Sequence, residues 1–111
     1  MLARAFKLRC QRCGSEHFVE ASKPGLLLFV CPACGAHHAL VLDSNLDMRD
    51  FRLLDVAEAV PAGVYEVVDS ELMPSTLREV LSRATLHISP EDAARVISVA
   101  RRLGLLRVVA G

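Results

Sequence analysis

The feature of this chain that most constrains its fold is a pair of Cys-x-x-Cys-Gly segments. One reads CQRCG from residue 10 and the other CPACG from residue 31. Two intervening residues let the chain turn so that both sulfurs face one point, and a glycine after the second cysteine accepts the left-handed backbone that such a turn needs. Four thiolates complete a tetrahedral shell around one ion. The spacing therefore predicts one structural Zn²⁺ bound by Cys10, Cys13, Cys31 and Cys34.

Other uses of these cysteines stay open at this stage. Two disulfides would suit an exported protein, although the paired spacing favours metal. Iron bound as in rubredoxin is chemically allowed, since that family shares the CPACG segment, but the chain has no Trp and we expect no aromatic cluster of the rubredoxin kind. A catalytic zinc ion needs an open ligand position, which four thiolates do not leave. A histidine ligand is a further alternative, with His17, His37 and His38 as the candidates.

The residues around the cysteines have the composition of short strands. Four segments are predicted as strands of a three- or four-stranded antiparallel sheet: residues 3–9, 17–21, 26–30 and 39–42. With the cysteine pairs at one end of that sheet, residues 1–43 resemble the zinc ribbon family, and the resemblance covers about 40% of the chain. It implies a metal-binding β-fold that docks on RNA, DNA or protein.

Residues 44–111 are predicted to form a second, small α+β domain with an aliphatic core. Apolar spacing favours a helix over residues 46–60, with Ser44 and Asp47 as its capping pair, although residues 51–56 also suit a strand. A strand is predicted for residues 64–68. The overall fold class is therefore α+β, an antiparallel β zinc ribbon followed by a helix–helix–strand or small α/β unit.

Two later helices have clearer boundary signals. Thr76 and Glu79 form a capping-box pattern for a helix over residues 76–84. Ser89 precedes Pro90 at the start of a second helix, which Gly104 ends. With a final strand over residues 105–109, this order looks like part of a winged helix, whose second helix reads DNA.

Charge gives little support to a polyanion partner. The formal net charge is zero. Residues 1–40 hold five basic and two acidic side chains, but four thiolates around one divalent ion carry a charge of −2, which offsets most of that excess. Candidate contacts to nucleic acid or to an acidic partner are Arg9, Arg12, Lys23, Arg95 and Arg102.

The function expected from these patterns is that of a non-enzymatic zinc-binding adaptor or docking subunit. Hydrophobic residues make up 52% of the chain, so we expect a protein partner or a homo-oligomer to cover apolar surface. The alternative is a nucleic-acid-binding regulator, and a thiol-based sensor is a third hypothesis. No apolar run approaches membrane-spanning length and no secretory signal is evident, which favours a cytoplasmic protein. No catalytic constellation or small-molecule site is evident, and we interpret the isolated His87 as structural.

Overall fold

The computed structural model describes residues 3–56, 59–84 and 88–110. Within these ranges it contains seven strands in two antiparallel sheets, together with two helices, which confirms the α+β class. The elements in chain order are β1 Arg4–Arg9, β2 Glu16–Ala21, β3 Gly25–Val30, β4 His37–Leu42, β5 Met48–Leu54, β6 Gly63–Val67, α1 Ser75–Ser82, α2 Pro90–Leu103 and β7 Leu106–Ala110.

The strands are divided differently from the single sheet that the sequence suggests. β1 and β2 form a two-stranded sheet, called here the hairpin, and the other strands form a five-stranded sheet in the order β5-β4-β3-β6-β7. Strands from the predicted ribbon, β3 and β4, therefore pair with strands from the second half, β6 and β5. The boundary between residues 43 and 44 stays a prediction.

The five-stranded sheet is covered on both faces. Leu26, Leu28 and Val30 pack with α1 and α2 in one apolar cluster. Leu27 and Phe29, which alternate with them along β3, pack with the hairpin in a second cluster. This explains why β3 is a continuous apolar run, because a strand buried on both faces has no side that favours polar residues. The order of layers is hairpin, sheet, helices.

Of the two interpretations of residues 46–60, the helix is wrong and the strand alternative over residues 51–56 is confirmed in part, because β5 covers Met48–Leu54. Its start is fixed by Asp43, whose Oδ1 accepts hydrogen bonds from the backbone amides of Asn45 and Asp47, each at 2.9 Å. Leu46 in the same turn has a left-handed φ of 64°. The turn sends the chain back along β4, and pairing with β4 overrides the helical spacing of the apolar residues.

Helix boundaries are confirmed for α2 and only in part for α1. The Ser89 side chain accepts from the amide of Asp92 at 3.1 Å, and Gly104 ends the helix in the left-handed conformation. α1 instead begins after Pro74 without a side-chain cap, so the capping box from Thr76 is wrong. Ser44 likewise lies in the β4–β5 turn and caps no helix.

Among the described residues, no helix has the length and apolar character needed to cross a membrane. His87 lies outside the described residues.

Candidate metal centre

Each cysteine pair lies in the connection of a β-hairpin, and the two connections have matching backbone geometry. In the β1–β2 connection the Gly14 amide donates to the Cys10 carbonyl at 3.0 Å, and in the β3–β4 connection the Gly35 amide donates to the Cys31 carbonyl at 2.8 Å. The two glycines have φ values of 79° and 78°. Only glycine adopts this region without strain, which is why the sequence places one after each pair.

The two connections bring their sulfur atoms together from different layers of the fold. The Sγ atoms of Cys10 and Cys34 are 3.5 Å apart, and those of Cys13 and Cys31 are 3.8 Å apart. All four lie within 4.8 Å of one another. A regular tetrahedron with metal–sulfur bonds of 2.3 Å has sulfur–sulfur distances of about 3.8 Å. The four cysteines are free thiols, and their arrangement can hold one metal ion, consistent with a zinc ribbon.

Within each pair the two cysteines have different surroundings. Cys10 and Cys31, the first of each pair, are buried, whereas Cys13 is exposed and Cys34 is half-buried. The buried sulfurs also accept backbone hydrogen bonds: the Arg12 amide lies 3.4 Å from the Cys10 sulfur. The Ala33 amide has the same relation to the Cys31 sulfur, also at 3.4 Å. These amides stabilise thiolate charge where solvent cannot.

The four thiols lie close together, and the pKa values of Cys31 and Cys34 are shifted in opposite directions. Burial would raise the pKa of the Cys31 thiol, but hydrogen bonds from Ser15 and from the Ala33 and Cys34 amides lower it to about 5. For Cys34 a backbone hydrogen bond from Ala36 favours ionisation, yet burial and the neighbouring thiols raise the pKa to about 11. Four thiolates at this separation repel one another unless a cation lies between them. The donor set therefore fits a metal cation.

Ser15 is a site residue that the sequence reasoning missed. Its Oγ lies 3.0 Å from the Cys13 sulfur and 3.3 Å from the Cys31 sulfur, so it touches one thiol from each connection. The His17 Nε2 atom is 2.8 Å from the same oxygen and 3.7 Å from the Cys31 sulfur. The only available signal was a hydroxyl placed two residues after a ligand. Among the described residues no histidine belongs to the group of four candidate ligands.

Replacing Ser15 with alanine is expected to weaken metal binding about 10- to 100-fold, the usual effect of losing a group that orients a ligand. The backbone carbonyl of Ser15, which accepts from the Cys10 amide at 2.9 Å, is kept in the variant, so the turn should persist. Competition with a coloured zinc chelator measures the affinity. Ser22→Ala, at an exposed position after β2, is the control. Equal competition curves for Ser15→Ala and the unmodified chain would contradict the role.

A cluster of aromatic and imidazole rings packs beside the four cysteines. The Phe29 ring packs between His17 and His38 at centroid distances of 5.9 and 5.6 Å, and His38 stacks on Phe51 at 4.8 Å. Burial lowers the pKa of His38, and its Nε2 accepts from the Gln11 amide at 3.0 Å, so the ring is neutral with its proton on Nδ1. The sequence suggested that the chain has no aromatic cluster of the rubredoxin kind, and the presence of these packed rings weakens that reason for preferring zinc over iron.

The cations proposed as partner contacts are distributed over separate surfaces. Those on the hairpin side are engaged within the chain: Arg9 pairs with Glu16 at 3.7 Å, Arg12 donates to the Cys34 carbonyl at 3.0 Å and Lys23 lies 3.4 Å from Glu66. Arg95 pairs with Asp92 on α2 at 3.5 Å. Arg102 lies on the same helix and also interacts with other groups. Arg95 and Arg102 therefore lie on the opposite side of the sheet from the hairpin. The roles of all five cations as partner contacts stay predictions.

The fold and the cysteine cluster define a small α+β protein with a candidate four-thiolate metal site. Comparison with protein-family models, with curated proteins and with solved structures finds no match for the chain.

Proposed function

We propose that the four cysteines bind one structural Zn²⁺ in a zinc ribbon formed by β1–β4, and that the protein is a non-enzymatic docking module. The observation that carries the proposal is the convergence of four sulfurs within 4.8 Å from two layers. An ion held there fastens the hairpin to the five-stranded sheet and retains no open position for water. Reduced cysteines bound to zinc are typical of a reducing compartment, which supports a cytoplasmic location.

Metal identity rests on ligand chemistry. A tetrahedral set of four sulfurs suits zinc or iron, and closed four-cysteine sites are typical of structural zinc. Elemental analysis of the purified protein is expected to find one zinc per chain. A stoichiometric iron content with a visible charge-transfer band would replace zinc in the proposal.

The docking surface is the outer hairpin face, defined as Ala5, Lys7, Arg9, Glu16, Phe18 and Glu20, which alternate with the residues that face the sheet. At its centre the Phe18 side chain is 79% exposed. Lys7 is its cross-strand partner, and Arg9 pairs with Glu16 beside it. An exposed aromatic side chain within a charged rim is the arrangement of a protein-binding hot spot, where the ring enters a partner's apolar pocket.

Charge favours a protein over a nucleic acid as the occupant of this face. Lys7 and Arg9 are balanced by Glu16 and Glu20, and Glu16 pairs with both cations, at 2.9 Å to Lys7 and 3.7 Å to Arg9. A nucleic-acid surface needs uncompensated cations along a phosphate path. The balanced face is the reason that we place the nucleic-acid-binding regulator second.

Replacing Phe18 with alanine is expected to weaken binding of the native protein partner while leaving the metal content at one ion per chain. Truncating a hot-spot residue costs about 2 kcal/mol or more, roughly a 30-fold loss of affinity. The measurement is co-purification of tagged protein from its native cell, before and after nuclease treatment, followed by titration of the captured protein. Leu72→Ala, at a side chain 67% exposed elsewhere on the surface, is the matched control.

Two outcomes oppose this proposal. Equal partner recovery by the Phe18 and Leu72 variants would place the docking surface elsewhere. Tight binding of labelled RNA or DNA that weakens steeply between two salt concentrations would support the nucleic-acid alternative, because phosphate contacts release counterions.

A further inference from the structure

One edge of the five-stranded sheet is closed by a side chain from the metal centre. β5 is an edge strand, and the Gln11 side chain lies along it. Gln11 Nε2 donates to the Phe51 carbonyl at 2.6 Å, and Gln11 Oε1 accepts from the Leu53 amide at 2.8 Å. The side-chain amide thus replaces the peptide group of a neighbouring strand. Unpaired edges recruit other strands unless they are covered.

The position of Gln11 depends on the first cysteine pair. The residue directly follows Cys10, and its own backbone amide donates to His38 Nε2 at 3.0 Å. The turn that holds it contains Cys10 and Cys13, two of the four proposed metal ligands. Loss of the ion releases the two ligands and with them the restraint on the Gln11 backbone.

The edge beneath Gln11 has a charge pattern that matches its own antiparallel copy. If two β5 strands pair about Phe51, Asp50 of each chain lies opposite Arg52 of the other. Within one chain these two side chains already form an ion pair at 2.8 Å. Opposite charges at directly facing positions stabilise an antiparallel pair, and the facing Phe51 residues add an aromatic contact. Two of the outward backbone groups at these positions, the Phe51 carbonyl and the Leu53 amide, are those that Gln11 now occupies.

We propose that Gln11 is a metal-dependent guard of the β5 edge, and that removal of the guard lets β5 pair with β5 of a second copy of this chain. The ion holds Gln11 in place, and its loss exposes the Phe51 carbonyl and the Leu53 amide. The Asp50 carboxylate, which accepts from the Phe51 amide at 3.0 Å, moves to Arg52 of the second copy. This inference rests on the metal site proposed above.

The guard is tested in the metal-loaded protein by Gln11→Ala, which leaves all four cysteines in place. Hydrogen exchange at the Leu53 amide, followed by NMR, is expected to speed up at least tenfold because the amide loses its acceptor. The Val68 amide, which donates to the Leu105 carbonyl at 2.7 Å on the far side of the sheet, is the internal control and should not change. Equal Leu53 exchange in the two proteins would overturn the guard.

Self-association is tested by light scattering on the same variant up to about 1 mM, where weak dimers become visible. Metal-loaded Gln11→Ala is expected to dimerise at least tenfold more tightly than the unmodified chain. Adding Arg52→Asp places two acids opposite one another and should abolish the dimer, whereas adding Asp50→Arg as well should restore it. Arg95→Asp on α2 is the charge control. A Gln11→Ala protein that stays monomeric, or a dimer insensitive to Arg52→Asp, would refute the β5 interface.

Metal analysis separates this inference from the proposed function. A variant that retains one ion per chain and still dimerises supports both. If the unmodified protein binds no metal, the proposed function fails, and the dependence of the guard on the ion fails with it. The Gln11→Ala comparison still decides whether the side chain protects the edge.

Discussion

Replacing Cys31 with serine is expected to release the metal and to unfold the protein cooperatively. Structural zinc contributes about 10–16 kcal/mol of binding free energy in small zinc domains. That exceeds or matches the free energy of unfolding of a typical domain, about 5–15 kcal/mol. Cys31 is buried, and its sulfur accepts from the Ala33 amide and lies beside Ser15. With serine in its place, the ion would have three thiolate ligands and a weaker hydroxyl ligand.

The extent of unfolding in this variant is a test of the shared sheet. From the sequence alone, loss of the ion is expected to unfold residues 1–42. Because β3 and β4 also pair with β6 and β5, we now expect loss of order in the second half as well. Zinc content measures the loss of metal, circular dichroism measures the loss of structure in the whole chain, and hydrogen exchange at the Val68 amide measures the loss of order in the second half. Ala33→Ser, at an exposed position inside the same pair, is the control. A Cys31→Ser protein with one zinc per chain and an unchanged melting temperature would rule out the metal site.

Replacing Phe29 with alanine is expected to lower the free energy of unfolding by about 3–5 kcal/mol. The Phe29 side chain is 2% exposed and contacts rings from both the hairpin and the sheet, with centroid distances of 5.9 Å to His17 and 6.0 Å to Phe51. Its removal leaves a cavity between two layers that the remaining rings fill only in part. For a chain of this size the melting temperature should fall by roughly 15 °C or more.

Phe18→Ala is the matched control for this cavity, because the same side chain is lost from an exposed position one layer away. Its stability should stay within about 0.5 kcal/mol of the unmodified chain. Both measurements use metal-saturated protein at one protein concentration, since bound metal adds equally to the stability of each. A similar decrease in the free energy of unfolding for the two variants would contradict the role of Phe29 in packing the hairpin against the sheet.

The candidate ligands could be predicted from the sequence because their signal is local. Two residues between cysteines, followed by glycine, define the turn without reference to the rest of the chain. The same holds for α2, whose Ser89 cap and Gly104 terminus act within one turn of the helix ends. β5 could not be assigned in this way, because its apolar residues fit a helix and only pairing with β4 made it a strand.

What the sequence determined by itself is the set of four sulfurs and the two turns that present them, since both depend on backbone geometry over a few residues. The tertiary structure decided which side chains surround them. Ser15 bridges two thiols, Gln11 covers an edge that is distant in sequence, and Phe29 joins two layers. These contacts exist because the hairpin packs face to face on the sheet, and no local spacing in the chain encodes that packing.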